Sequence, residues 1–399
     1  MTDPEAELCA PLERFAQLHE TTVRRAGTRL IDLSYPNPRA DRDLRPYAAL
    51  TELTATLQAA DLQYTPFGGG TVVRRRVAAA VRRRTGVPFG HRDVALTPGA
   101  TAALTVTLST LFRPGDRIAM VVPCWMDYPL YANRLGLRLT GIPSGPDKRL
   151  DLDALADTLH DPPAGIVLSQ PVCPTGVVHD AAELAELARL LRAAADRAGR
   201  RIVLVSDEVH RDQVWDDDPN IPLPVSYHPD TVSVYSFGKS WSLQGQRTGY
   251  LALGPGLRDP MLLRSLDRAL RATAFCAPTA LMQQLVLQTV DLEPDNRTLG
   301  TDQYRVRSLL SRMGYEVTAG RATSFVYVRC PAGLDDWTFV HRLADRGLLV
   351  MPSSIFHEPG WFRLALNVDG ERLAVATERL RQAHPAADAA DAGSIQGRA

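Results

Sequence analysis

The chain contains very little lysine. Of its 399 residues only Lys148 and Lys239 are lysines, although lysine and arginine together number 45. Arginine keeps its proton near neutral pH, whereas a buried lysine can lose its proton and act as a nucleophilic amine. Lys239 follows a β-branched run, with Ser236 three residues before it and Arg247 eight residues after it. We therefore interpret Lys239 as the first candidate for chemistry.

The chain also lacks a cysteine framework. Its five cysteines are an odd number, lie far apart and include no Cys-x-x-Cys pair. This pattern argues against a disulfide scaffold and against a zinc site, and we predict no metal site. It is typical of a protein in a reducing cytoplasm, where we expect this one.

Net charge and long apolar runs are absent as well. Acidic and basic residues balance at 45 each, so we expect no nucleic-acid partner. No apolar run is long enough to span a bilayer, and the acidic N-terminus lacks the apolar segment of a signal peptide, so we expect no membrane partner. No Gly-x-Gly-x-x-Gly follows the first predicted strand, which argues against a dinucleotide site.

Short apolar runs alternate with helical patterns through the middle of the chain. We predict strands at Asp93–Thr97, Arg117–Pro123, Gly165–Ser169, Ile202–Ser206, Thr231–Tyr235 and Gly249–Leu253. Because each run is apolar nearly throughout, both of its faces are expected to be covered. The clearest helix between them is Ala181–Ala198. This alternation predicts an α/β fold with a doubly wound, mostly parallel sheet.

The pattern changes after the sixth predicted strand. A long helical region at Asp259–Val290 leads to an acidic, proline-containing break and then to a smaller α+β unit. We predict an N-terminal arm belonging partly to the small domain (1–44), a large cofactor-binding domain (45–290), a small C-terminal domain (291–384) and a disordered tail (385–399).

Polar and small residues follow the predicted strands. In a doubly wound sheet, ligands bind beyond the carboxyl ends of the strands. Gly99, Ala100 and Thr101 open a helix whose free N–H groups suit a phosphate. The residues after later strands are Trp125, Cys173, Asp207, His210, Ser236, Lys239 and Arg247. An amine, a buried carboxylate, a flat ring and anion-binding groups are the parts that hold pyridoxal phosphate.

With these residues the chain resembles the fold-type I pyridoxal-phosphate enzymes, specifically the class I/II aminotransferase superfamily, from about Tyr64 to Arg363. The resemblance implies that Lys239 forms the Schiff base with the cofactor and moves protons. It also implies that Asp207 pairs with the pyridine nitrogen and that Trp125 stacks on the ring. The phosphate would be held by Gly99, Ala100, Thr101, Ser236 and Arg247.

The same resemblance implies two further contacts. Tyr64 matches the tyrosine that reaches the phosphate of the partner subunit, which implies a homodimer with shared active sites. Arg363 matches the arginine that clamps the α-carboxylate of an amino-acid substrate. A bidentate guanidinium–carboxylate pair is a sound physical basis for that role.

Three positions depart from the family pattern. Gln170 and Cys173 replace two asparagines of a proline-rich turn, and His210 stands where many members have tyrosine. The second asparagine normally donates to the phenolic oxygen of the cofactor, and a thiol is a weak donor. We count Cys173 and His210 among the cofactor contacts. The motifs around Asp207 and Lys239 also resemble the carbon–sulfur β-lyase branch of the superfamily.

The reaction is therefore open at this point. We favour an aminotransferase of specialised metabolism that acts on an L-amino acid through an α-carbanion. The alternative is a β/γ-elimination or replacement enzyme, either lyase-like or cyclising. A binding module without catalysis is less favoured, because only about sixty residues precede Tyr64 and they lack a helix-turn-helix pattern.

The Cys173 position generates a direct test. We expect Cys173→Asn to shift the pH at which the visible absorption of the bound cofactor changes, because an amide donor replaces a weak thiol donor. A spectrophotometric pH titration of both proteins measures the shift. An unmoved titration would place Cys173 away from the phenolic oxygen.

Overall fold

The computed structural model describes residues 3–37, 44–216 and 218–385. The predicted tail lies outside these residues from position 386 onward, as do residues 38–43 of the predicted N-terminal arm. Within the described ranges, no helix is both long and apolar enough to cross a membrane.

The described chain forms twelve strands and thirteen α-helices. The strands are β1 (Ile31–Asp32), β2 (Val94–Thr97), β3 (Arg117–Val122), β4 (Arg138–Pro143), β5 (Gly165–Ser169), β6 (Val203–Asp207), β7 (Thr231–Ser236), β8 (Gly249–Leu253), β9 (Phe325–Arg329), β10 (Leu348–Leu349), β11 (Met351–Pro352) and β12 (Trp361–Ala365). The helices are α1 (Pro4–Ala26), α2 (Arg45–Thr56), α3 (Thr71–Thr85), α4 (Gly99–Leu111), α5 (Tyr128–Arg134), α6 (Leu152–Thr158), α7 (Ala181–Ala198), α8 (Phe237–Ser240), α9 (Pro260–Ala272), α10 (Ala280–Thr289), α11 (Arg297–Arg312), α12 (Asp336–Asp345) and α13 (Gly370–Ala383).

A seven-stranded sheet forms the centre of the fold, in the order β2-β8-β7-β6-β5-β3-β4. The pairs from β7 to β4 are parallel, and only β8 runs against its two neighbours. Every residue of β2, β5, β7 and β8 is buried, as expected for strands covered on both faces. The predicted α/β fold with a mostly parallel sheet is confirmed.

Sequence reasoning missed one strand of the seven-stranded sheet and left one helical region undivided. The edge strand β4 is exposed at most positions, so it lacks the apolar run used to find the others. The predicted helical region at Asp259–Val290 contains two helices, α9 and α10. Ala274 and Cys276 adopt positive φ between them, and Pro278 follows. The helix predicted at Ala181–Ala198 is α7, capped by Asp180 at its start and by left-handed Gly199 at its end.

A smaller α+β unit follows the large sheet. Its three-stranded antiparallel sheet has the order β11-β12-β9, and β1 pairs in parallel with β10. Phe15 of α1 and Ile31 of β1 are buried in the same core cluster as Phe339 and Phe362. The predicted smaller α+β unit is confirmed, while the domain boundaries stay a prediction.

The start of β8 brings two strand ends together. Thr97 and Ser236, the last residues of β2 and β7, both pair with Gly249. A Cβ atom at position 249 would lie 2.4 Å from the Tyr235 carbonyl oxygen and 2.9 Å from the Gly99 carbonyl carbon. Glycine is needed at this position because no side chain fits between the two backbones. The residues after β2 and β7 therefore meet at one edge of the sheet.

Two adjacent leucines of α7 test the packing beneath this sheet. Leu191 is fully buried against the sheet, whereas Leu190 is only partly buried. We expect Leu191→Ala to lower the free energy of unfolding by about 2–5 kcal/mol, since it leaves a cavity in the core. Leu190→Ala is the matched control and is expected to cost clearly less. Denaturant titration measures both, and equal losses would contradict the packing described.

Candidate active site

A cavity of about 240 Å³ lies at the edge where β2, β5, β6 and β7 end. Four of its thirteen lining residues, Leu104, Ser169, Pro171 and Val209, had no predicted role. The other nine are predicted site residues: Ala100, Thr101, Trp125, Cys173, Asp207, His210, Ser236, Lys239 and Arg247. The fold therefore brings most of the predicted site together.

Lys239 lies on the short helix α8, directly after β7. The Ser236 hydroxyl caps this helix by accepting the Gly238 N–H at 3.3 Å. Burial, together with the nearby charges of Arg363 and Arg247, lowers the pKa of the Lys239 amine to about 8, although Cys173 and Asp207 act in the opposite direction. A substantial neutral fraction therefore exists near neutral pH, as a nucleophilic amine requires.

Asp207 ends β6 and is held by two donors. The Tyr128 hydroxyl donates to Oδ2 at 2.6 Å, and the Val209 N–H donates to Oδ1 at 3.2 Å. Burial raises the pKa of Asp207, while these hydrogen bonds and the charge of Lys239 act in the opposite direction. Asp207 thus presents a carboxylate whose orientation is set by its neighbours, suited to pairing with a cationic N–H group.

Sequence reasoning missed Tyr128. It begins α5, and its hydroxyl lies 3.0 Å from that of Ser169, so Tyr128 links the ends of β5 and β6. It contacts Asp207 across 79 residues of sequence, and no local pattern indicates that contact.

The start of α4 and Arg247 form an anion-binding corner. Pro98 at the N-cap provides no side-chain hydrogen bond, so the first-turn N–H groups keep their capacity to donate. Gly99 has a φ of +81°, and a Cβ atom there would lie 2.6 Å from Nη2 of Arg247. Only glycine allows the guanidinium to lie this close to the helix start. With Ser236 nearby, the corner suits a phosphate.

Arg363 lies in β12 and is fully buried. Its Nη2 donates to the Ser34 carbonyl at 2.5 Å, while Nε and Nη1 have no hydrogen-bond partner in the described part of the chain. Burial lowers the pKa of Arg363 to about 10, so it stays cationic at neutral pH. A buried cation with two free donors is costly unless an anion binds it, and a carboxylate has the matching geometry.

Arg363 does not line the cavity itself but lies beside Cys173, which does. Burial raises the pKa of the Cys173 thiol to about 11, although the charges of Arg363 and Lys239 oppose this rise. The thiol is therefore protonated at neutral pH and is not a reactive thiolate.

Gln170 has a structural role, because its side chain joins two loops. Its Nε2 donates to the carbonyls of His179 and Pro222, each at 2.8 Å, and its Oε1 accepts the His179 N–H at 3.0 Å. The side chain is fully buried. These bonds tie together the two loops behind the Pro171 wall of the cavity, and this contact uses the full capacity of the amide nitrogen.

His210 lies in a turn after β6 and lines the cavity. Burial, reinforced by the charge of Lys239, lowers the pKa of His210 to about 3, so the ring is neutral.

Asp212, two residues after His210, is engaged with other side chains. It accepts from the Tyr235 hydroxyl at 2.5 Å and pairs with Arg84. No group of three metal-binding side chains occurs among the described residues.

Tyr64, another predicted contact, does not line the cavity. Its side chain is fully exposed in the single chain, in a surface segment near Cys276. The single chain therefore gives Tyr64 no part in its own site.

Residues 28–380 match the family described as aminotransferase class I and II. The chain belongs to this family. Class I and II aminotransferases depend on pyridoxal phosphate, so this chain is a pyridoxal-phosphate-dependent aminotransferase.

Individual relatives agree with this membership. The probable N-succinyldiaminopimelate aminotransferase of Mycobacterium tuberculosis is 28% identical over 310 residues, which cover 74% of this chain and 75% of the relative. The aspartate aminotransferase of Thermotoga maritima is 26% identical over 343 residues, covering 84% and 87%. The resemblance to the carbon–sulfur lyase branch is not confirmed by these relatives.

Solved structures agree on the fold. An aminotransferase from Eubacterium rectale superposes with a TM-score of 0.87 at 24% identity, covering 92% of this chain and 94% of that one. A double mutant of Thermus thermophilus aspartate aminotransferase gives 0.82 at 21% identity, covering 92% and 96%. At these identities the likeness concerns the fold alone.

The residues present fit pyridoxal phosphate. The lowered pKa of Lys239 suits Schiff-base formation, and the corner formed by Gly99 and Arg247 suits the phosphate. Asp207 offers a carboxylate for the pyridine nitrogen, and Trp125 offers a ring on the cavity wall. The aldehyde, the phosphate and the ring nitrogen each have a matching group.

The lowered pKa of Lys239 gives a pH-dependence. Only the neutral amine attacks an aldehyde, so the rate of pyridoxal-phosphate capture by cofactor-free protein should rise about tenfold per pH unit below pH 8 and level off above it. Stopped-flow absorbance measures this profile. Lys239→Arg is the control and should capture none, because it keeps the charge but has no nucleophilic amine. A rate that keeps rising to pH 10 would indicate an ordinary exposed lysine.

Proposed function

We propose that the chain transfers the amino group of an L-amino acid, with Lys239 and Asp207 as the groups that contact the cofactor's reacting part. The observation that carries this proposal is their geometry. An amine with a lowered pKa and a carboxylate oriented by Tyr128 lie on the walls of one cavity.

Lys239 is proposed to carry the proton. When bound, pyridoxal phosphate supplies an electron sink that makes the α-proton of the amino acid acidic. The Lys239 amine takes that proton and returns it, and a pKa of about 8 lets it do both near neutral pH. Asp207 holds the pyridine nitrogen protonated through its carboxylate.

Arg363 is proposed to hold the α-carboxylate of the substrate. Its free Nε and Nη1 can donate two parallel hydrogen bonds to a carboxylate, and that pairing offsets the cost of its burial. The relatives act on different amino acids by name, and the α-carboxylate is common to amino acids.

A homodimer is proposed on the basis of Tyr64. A fully exposed tyrosine beside exposed Leu62 is the kind of surface that a partner subunit covers. In the proposed dimer, the Tyr64 hydroxyl reaches the phosphate held by the partner. We also propose a cytoplasmic location, which the odd number and wide spacing of the five cysteines favour.

One observation favours a second outcome at the same site. Cys173 and His210 occupy positions where the family usually places hydrogen-bond donors, and a change in that hydrogen bonding alters the basicity of the bound cofactor. Elimination or replacement at Cβ or Cγ uses the same α-carbanion. Specialised metabolism stays a prediction from these departures.

A single-turnover experiment separates the two outcomes. Holoenzyme is mixed with a panel of amino acids without a keto-acid acceptor. For transamination we expect visible absorption that bleaches, stays bleached and is accompanied by stoichiometric keto acid. Recovery of the absorption while ammonia accumulates would establish elimination instead. Lys239→Ala should lose both the chromophore and turnover, and full activity in that variant would refute the assignment.

A further inference from the structure

His210 and Gln213 form a hydrogen-bonded pair next to Lys239. Nδ1 of His210 lies 2.6 Å from Oε1 of Gln213, and Nε2 of Gln213 donates to the Lys239 carbonyl at 3.1 Å. Both side chains are buried, at 6% and 5% exposure. The pair therefore links the backbone of the reactive lysine to a ring on the cavity wall.

The lysine carbonyl determines which way the Gln213 amide points. A carbonyl oxygen only accepts, so the amide nitrogen must face Lys239 and the amide oxygen must face His210. An amide oxygen also only accepts, so Nδ1 of His210 must carry the ring proton. Since the ring is neutral, Nε2 carries a lone pair.

Nε2 is the nitrogen left for a ligand. No residue in the described ranges hydrogen-bonds it, and His210 lines the cavity together with Lys239. The charged groups near the ring are cationic Lys239 and Arg363, which both disfavour an imidazolium. Asp207 and the protonated thiol of Cys173 line the same cavity. Phe325 packs edge-on against the ring, with centroids 5.3 Å apart, and limits its rotation.

We propose that Gln213 is a positioning residue that keeps the His210 proton on Nδ1, so that Nε2 accepts a hydrogen bond from an O–H or N–H group of the ligand bound beside Lys239. The identity of that ligand as a cofactor–substrate pair rests on the proposed function. The tautomer itself rests only on protein contacts. At the position of His210 many family members have a tyrosine, whose hydroxyl can donate. Here Nε2 accepts instead, and an acceptor favours keeping a proton on the bound ligand.

The first test reads the tautomer directly. Holoenzyme and cofactor-free protein are labelled with ¹⁵N-histidine, and the His210 signals are assigned by their loss in His210→Asn. We expect a protonated Nδ1 and an unprotonated Nε2 in both preparations. A protonated Nε2 in the wild-type protein overturns the inference, whatever the variants do. Failure to bind pyridoxal phosphate would instead refute the proposed function and leave the tautomer readable.

Variants of Gln213 test the cause. Gln213→Leu removes the acceptor, so Nε2 should gain proton occupancy. Gln213→Glu keeps an oxygen acceptor and should keep the proton on Nδ1. Gln382→Leu, an exposed glutamine on α13, is the control and should leave the His210 signals in place. An unchanged tautomer in Gln213→Leu would show that Gln213 does not set it.

The holoenzyme provides a second readout. Because an acceptor keeps a proton on the ligand, Gln213→Leu should lower the pH midpoint of the visible absorption change, while Gln382→Leu should not move it. A midpoint that stays or rises in Gln213→Leu overturns the proposed hydrogen bond to the ligand.

Discussion

Charged groups buried in and beside one cavity govern the arrangement of this site. Asp207, Lys239 and Arg363 all lie where burial disfavours their charged forms. Unpaired buried charges are strongly destabilising, and hydrogen bonds within the described chain satisfy Arg363 only in part. Tyr128 donates to Asp207, and Ser34 accepts from Arg363. The donors that stay without a partner, Nε and Nη1 of Arg363, are available to bind a ligand.

Much of the site was predictable because it follows strand ends. A parallel sheet collects those ends at one edge, so Asp207, Ser236 and Lys239 could be grouped from spacing alone. Contacts between distant segments could not be predicted in this way. Tyr128, for example, donates to Asp207 although 79 residues separate them in the sequence. Strand β4 was missed because an exposed edge carries no apolar run. Gln213 lies three residues after His210 and could have been suspected from that spacing.

The departures from the family pattern have separate physical consequences. Gln170 is fully occupied in joining two loops, so its replacement of asparagine concerns the wall of the cavity. Cys173 and His210 face the cavity itself, one as a protonated thiol and the other as a neutral ring. Family membership therefore establishes the cofactor. Cys173 and His210 make the hydrogen-bonding groups on the cavity wall differ from those usual in the family.

The hydrogen bond from Arg363 to the Ser34 carbonyl has a consequence for how such a protein can diversify. Ser34 is part of a short segment that also contains Asp32, whose carboxylate binds the Ser34 N–H at 2.9 Å and the His19 ring at 2.8 Å. None of these residues lines the cofactor cavity. Substitutions in this segment would move Arg363 without changing any residue that lines the cavity. The position of the buried guanidinium and the lining of the cavity therefore depend on different parts of the chain.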